Sequence, residues 1–172
     1  EQPTHIAVSF DPPGGTFRNR LFPDYKANRS ATPQLVIDAL EPLTRIVRSL
    51  DIPVLMVPDF EADDVIGTVA KRFASAMDVY MVTPDKDYGE LISSHIFQNK
   101  PGKGGADNEI IGESQVCEKY GISSPSQVID MLAICGDSAD NVPGVQGVGP
   151  VGASRLLAKY NTLEGIYAHL ND

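Results

Sequence analysis

VLMVPDFEADDVIGTVAKRF, Val54 to Phe73, decides how this chain folds. Val54–Val57 is short, apolar and largely β-branched, the composition of a buried strand. Val65, Ile66, Val69, Ala70 and Phe73 then recur at three and four, the spacing of one apolar helix face, and predict a helix running to about Ala76. Between strand and helix stand Glu61, Asp63 and Asp64. Like charges this close repel. Taken alone they read as a solvated helix start, where acids complement the positive end of the helix dipole.

The same grammar holds on both sides. Thr4–Phe10, THIAVSF, predicts a strand that stops at Asp11-Pro12-Pro13-Gly14-Gly15. Thr32 is placed to cap a helix with Pro33 in its first position, and Leu35, Ile37, Leu40, Leu43, Ile46, Val47 and Leu50 mark its apolar face. Val79–Val82 predicts a third strand, which runs into Thr83-Pro84-Asp85-Lys86-Asp87. A helical turn, a strand at His95–Gln98, a flexible Gly/Lys-rich loop over Asn99–Asn108 and a short strand at Glu109–Ile111 follow. From Glu113 the pattern changes to short helices. One is capped by Ser124-Pro125, and another, ASRLLAKY, follows the glycine-rich PGVQGVGPVG; a last one covers Leu163–Leu170. Strand and helix in alternation predict an α/β fold, a parallel sheet flanked by helices, over residues 1–112, and a helical subdomain over 113–172.

At 172 residues, 42% hydrophobic and 22% charged, the composition is that of a soluble globular chain. No apolar run reaches the ~20 residues of a membrane helix, so no membrane partner is expected. The start EQPTHIAVSF has no basic signal-peptide region and no initiator Met, and the expectation is a fragment of a longer protein. Cys117 and Cys135 show neither metal-ligand spacing nor a disulfide framework and are expected as free thiols. The net charge of −9 argues against nucleic acid at first sight. Its distribution reverses that. Eight acids sit in four clusters, at Asp11, at Glu61, Asp63 and Asp64, at Asp85 and Asp87, and at Asp137 and Asp140; taking those eight charges from −9 leaves −1.

In a parallel α/β sheet, ligands bind beyond the carboxyl ends of the strands. Asp11 follows the first strand, Glu61–Asp64 the second, and Asp85 and Asp87 the third. Asp137 and Asp140, spaced i and i+3 in GDSADN, share a face if that turn is helical. Carboxylates without His or Cys select hard cations, Mg²⁺ or Mn²⁺, over zinc. The clusters hold more acids than one octahedral ion can use. They suit two ions, which acidify an attacking water and stabilise the attacking and leaving oxygens of a phosphoryl displacement. Nothing has EF-hand spacing.

Gly147-Val148-Gly149 leads into a helix with Pro150 near its first position, so backbone N–H groups can approach a phosphate. It is neither a Rossmann nor a Walker motif, and it suits a helix–hairpin–helix element that grips DNA without reading bases. Arg18, Arg20, Lys26 and Arg29 alternate with Phe17, Phe22 and Tyr25, a mixture suited to phosphates and unstacked bases. Lys86, inside DKD, balances charge or touches phosphate.

FDPPGGTFR, YKANR, FEADDVIG, TPDKD, GDSADN and PGVQGVG, in that order, resemble the 5′-nuclease domain of bacterial DNA polymerase I, in the flap-endonuclease and 5′–3′ exonuclease superfamily. The resemblance covers nearly the whole chain. It implies a three-layer, PIN-like or resolvase-like α/β core and a metal-dependent, structure-specific nuclease acting on DNA flaps, nicked duplexes or 5′ ends. Asp11, Glu61, Asp63 and Asp64 would form the first metal site, and Asp85, Asp87, Asp137 and Asp140 the second. Asp11, Glu61, Asp63, Asp85, Lys26 and Arg29 form the implied catalytic set. Arg18, Lys26, Arg29, Lys86, Gly147 and Gly149 form the implied DNA-binding set, with K⁺ as a further cation at the hairpin element. A covalently linked polymerase, a monomeric state and a bacterial cytoplasmic, nucleoid-associated setting go with it. Three departures matter. The family's first strand and its Asp-Gly ligand are expected to be missing, together with the end of the domain; Val151 stands where relatives carry Lys; Pro84 replaces Ala or Gly. The rivals are a DNA-binding module without catalysis and a PIN-type RNase.

Overall fold

The structure, a computed structural model, describes residues 2–171. It forms two compact units that divide between Ile66 and Gly67.

In the first unit, β1 (Val8–Ser9) and β2 (Val54–Leu55) pair in parallel, Val8 opposite Val54 and Ser9 opposite Leu55. Both strands are shorter than the sequence predicts, since only these residues close ladder bonds. Between them lie α1 (Phe17–Leu21) and α2 (Gln34–Ser49). α2 starts one residue later than expected, with Pro33 rather than Thr32 as its cap, and it carries Pro42 inside. Its apolar face shows as predicted, yet Leu35, Ile37, Leu43, Ile46 and Leu50 are exposed and Thr44 is its buried residue. Among the described residues of this unit, Tyr25 is the buried hydrophobic side chain. α3 (Ala62–Phe73) begins here and runs across the division.

The second unit holds β3 (Val79–Val82), a 3-10 helix at Lys86–Leu91, β4 (Ile96–Lys100) and β5 (Glu109–Ile111). β3 and β4 are parallel and β5 joins β4 antiparallel, with Gln98 opposite Ile111. Asn99 and Lys100 belong to β4, which shortens the loop expected over Asn99–Asn108; its tip is closed by the Gly102 N–H donating to Asn108 Oδ1 at 3.3 Å. Gly67 and Ala70 are the buried positions of α3, while Phe73, expected inside, is 45% exposed.

α4 (Glu113–Tyr120) follows β5 directly. Ser124 caps a 3-10 turn at Pro125–Gln127, as read from the sequence, and α5 (Val128–Cys135) continues it. β6 (Gly136–Asp137) and β7 (Val142–Pro143) pair antiparallel, so GDSADN is a hairpin and not the helical turn that would set Asp137 and Asp140 on one face. Gly136 decides this: its φ is +75°, and a methyl there would run into the Val142 and Gly144 backbone. α6 (Pro150–Tyr160) and α7 (Leu163–Ala168) close the fold, α7 ending two residues early. Met131 and Ile134 of α5 pack with Ala153 and Leu157 of α6, flanked by Val148, Leu163 and Ile166. Cys117 and Cys135 are free and half-buried.

Candidate active site

In the first unit the acids gather at the start of α3. Glu61 occupies the cap position, its carbonyl accepting from the Asp64 N–H, while its own N–H donates to Asp64 Oδ2 at 2.9 Å. Asp11, two residues past β1, reaches across to accept from the Ala62 N–H at 2.7 Å. The orphan donors of the helix start are thus met by two of the clustered carboxylates, which answers part of the repulsion. Asp63 lies exposed in the first turn.

Basic side chains complete this cluster. Arg18 donates from both terminal nitrogens to the two Asp64 oxygens, each at 2.7 Å, and its Nη1 is 3.7 Å from Glu61 Oε2. Lys26 Nζ donates to Glu61 Oε1 and the Tyr25 hydroxyl to Glu61 Oε2, both at 2.8 Å. The bond from Arg18 holds the Asp64 carboxyl below its ordinary value against the cost of burial, and raises the Arg18 guanidinium in turn. Arg18 also lies over the Phe17 ring at 4.8 Å and Lys26 over Tyr25 at 4.9 Å. Arg29 sits exposed in the turn that follows, its N–H donating to the Lys26 carbonyl at 3.0 Å. Nothing in YKANR marks Tyr25 as the anchor of a carboxylate rather than an exposed ring; burial of the ring distinguishes the two. Arg20 pairs with Asp59 instead, at 2.6 and 2.7 Å, on the exposed surface.

In the second unit Asp85 caps the 3-10 helix, accepting from the Asp87 N–H at 3.0 Å. Buried Gln98, which sequence reasoning passed over, fixes this turn by donating to the Thr83 and Asp85 carbonyls at 2.9 and 2.7 Å. Lys86 Nζ lies 3.4 Å from Asp87 Oδ1 and 3.2 Å from Asp137 Oδ2. Burial raises the Asp87 carboxyl despite Lys86, and its Oδ1 is buried without a hydrogen bond. Burial also acts to raise Asp137, but the Ala139 N–H and Lys86 prevail and lower it. Asp140 is half-buried in the hairpin turn. Burial is the main cause that raises the Tyr120 hydroxyl; the nearby Lys86 charge acts against it, and Asp87, Asp137 and Asp85 act with it.

Gly147, at φ +83°, and Gly149 precede α6 with open space where a side chain would stand, and Gly149 is the helix cap. Their exposed backbone leaves room for a close-approaching ligand.

The donors in both acid clusters are all oxygen, which suits a hard divalent cation. Among the described residues, however, no three acids, His or Cys are gathered as a ready metal site. Ammonium and guanidinium groups hold the carboxylates that a metal would need.

An α/β start, a helical end and carboxylates interlocked with phosphate-suited cations define an α/β protein with a helical end and two mixed-charge clusters. The match to known families is more particular. Residues 1–121 match the 5′-3′ exonuclease N-terminal resolvase-like domain, and residues 123–172 match the 5′-3′ exonuclease C-terminal SAM fold. The chain belongs to the 5′-3′ exonuclease family. It is 36% identical to the DNA polymerase I of Bacillus caldotenax, over all of this chain and 20% of that protein. It is 39% identical to a 5′-3′ exonuclease of Buchnera aphidicola, over 97% of this chain and 54% of that one. The chain thus spans between a fifth and about half of the length of these curated relatives. The fold is shared with the T5 5′-exonuclease solved with bound zinc, at a TM-score of 0.81 and 20% identity over 97% of this chain and 64% of that one. It is shared less closely with the catalytic core of Rad2 in complex with DNA substrate, at 0.59 and 17% over 95% and 52%.

Proposed function

We propose that this chain hydrolyses DNA phosphodiester bonds at 5′ ends or flaps, using divalent ions held by its acid clusters. The observation that carries this is the pairing of Glu61 and Asp64 with Lys26 and Arg18. Four groups within direct hydrogen-bond reach present both signs of charge, the combination that a metal and a phosphate together require. Asp11, Glu61, Asp63 and Asp64 would hold one ion, and Asp85, Asp87, Asp137 and Asp140 another, with Mg²⁺ or Mn²⁺ favoured by the oxygen-only donors. Bound ions would supply Lewis acidity at the phosphate. Arg18, Lys26 and Arg29 would bind and orient the scissile phosphate, Lys86 would serve a second phosphate contact, and Tyr25 would keep the Glu61 carboxylate in place. Residues 113–172, with Gly147 and Gly149 at the mouth of α6, would grip duplex backbone, with K⁺ as the fitting monovalent ion there. A polymerase region in the same polypeptide is the partner that the DNA polymerase I relatives favour.

The test is cleavage of a 5′-labelled flap with Mg²⁺ or with EDTA. Asp85→Ala and Asp140→Ala should each abolish cleavage while DNA binding stays within a fewfold. Undiminished cleavage by either variant overturns the assignment. A second reading, DNA binding without catalysis, is favoured by the lack of a gathered metal site among the described residues. It predicts binding and no Mg²⁺-dependent product from any length of chain.

A further inference from the structure

We infer that Arg18 and Lys26 are resident counter-ions of Glu61 and Asp64, exchanged for a divalent ion when phosphate arrives, so that metal and oligonucleotide bind with positive coupling. This rests on the function proposed above and adds how its parts communicate. Asp64 has both oxygens filled by Arg18, and Glu61 has one filled by Lys26 and the other by Tyr25. A divalent ion reaching these oxygens competes with the two cations for the carboxylate lone pairs and repels both of them. Arg18 and Lys26 then lose their counter-charges and stand beside the site as phosphate donors, Arg18 with its two-pronged geometry intact. Without metal, a phosphate would have to compete with carboxylates for the same donors.

A further observation supports an exchange over a fixed structural pair. Arg18 and Lys26 rest on aromatic rings, Phe17 and Tyr25, which can hold a cation after its carboxylate has gone. Arg20, on the same short helix as Arg18, has an exposed partner in Asp59 and no contact with Glu61 or Asp64 among those described, so it serves as the control.

The experiment is calorimetry of Ca²⁺ binding to this chain with and without a 5′-phosphorylated flap oligonucleotide. Ca²⁺ takes oxygen ligands in loose geometry and does not meet the strict octahedral demand of Mg²⁺. The unsubstituted chain should bind Ca²⁺ on the order of fivefold or more tightly with oligonucleotide present. Arg18→Gln should bind Ca²⁺ more tightly than the unsubstituted chain when no oligonucleotide is present, and should gain much less on adding it. Arg20→Gln should match the unsubstituted chain in both states. Arg18→Lys, which keeps the charge and the fold but loses the fork, should fall between. An Arg18→Gln variant with the same oligonucleotide-dependent gain as the unsubstituted chain overturns the exchange while leaving the metal site standing. A chain that binds no Ca²⁺ in either state overturns the function and the exchange together.

Discussion

Arg18 and Asp64 show how a single ion pair ties the fold to pH. The pair is bidentate but partly exposed, so it contributes on the order of 1 kcal/mol. The folded Asp64 carboxyl lies below its ordinary value of 3.8, so as pH falls the unfolded chain takes up the proton first. The stabilisation is therefore complete above 3.8 and is lost as pH drops through the folded value. Asp87 has the opposite sign. Burial raises its carboxyl above 3.8, the folded chain keeps the proton longer as pH rises, and stability falls across that upper window. Denaturant titrations in EDTA, from about pH 3 to about pH 7, check both. Asp64→Asn should flatten the acid-side fall, and Asp87→Asn should stabilise the chain at neutral pH. A neutral-pH loss in Asp87→Asn would mean that Lys86 outweighs burial at this carboxylate.

At the scale of the element, two buried details position the second acid cluster, and neither is visible as a pattern. Gln98 stands at a buried strand position where a composition-based reading expects an apolar side chain, and it ties the end of β3 to the cap at Asp85. Gln98→Leu keeps the volume but leaves two carbonyls unpaired, at a cost of about 1–3 kcal/mol, and should loosen the Asp85 turn. Thermal unfolding together with amide exchange at Asp87 checks this; unchanged exchange would remove Gln98 from any positioning role. Gly136→Ala meets backbone on two sides at a positive φ and should cost about 2 kcal/mol or more, read as a lower Tm. That contact explains why GDSADN misled. Spacing in the sequence is equally compatible with a helical turn and a hairpin, and the choice is made by the approach of Gly144 to Gly136, which is not local in sequence. Most helix starts were more legible, because a cap is local chemistry: Ser124 and Gly149 sit where Pro125 and Pro150 announce them, while at α2 Pro33 is itself the cap.

For the molecule as a whole, the alternation of strand and helix and the acids that follow each strand were readable, since both are written as short periodic runs. The basic residues were readable as types but not as partners. Nothing in FRNR or YKANR tells that Arg18 would face Asp64 and Lys26 face Glu61, contacts that span 46 and 35 residues. Those pairings set the last expectation. With carboxylates already neutralised by internal cations, added metal competes with them, so its net stabilisation is smaller than that of a bare acid site of equal charge. At a hundredfold excess over Kd, binding contributes about 2.7 kcal/mol, which for a chain of this size is a rise in Tm of roughly 5–10 °C. Asp64→Ala and Asp137→Ala lie in different compact units and different clusters. If each cluster takes its own ion, each substitution should remove part of the Mn²⁺-dependent rise, and the double variant should lose the sum of the two losses. Scanning calorimetry at saturating Mn²⁺ and in EDTA reads this directly. Loss of the entire rise in either single variant would show one shared ion-binding event, and no rise in the unsubstituted chain would leave the carboxylates to their lysines and arginines.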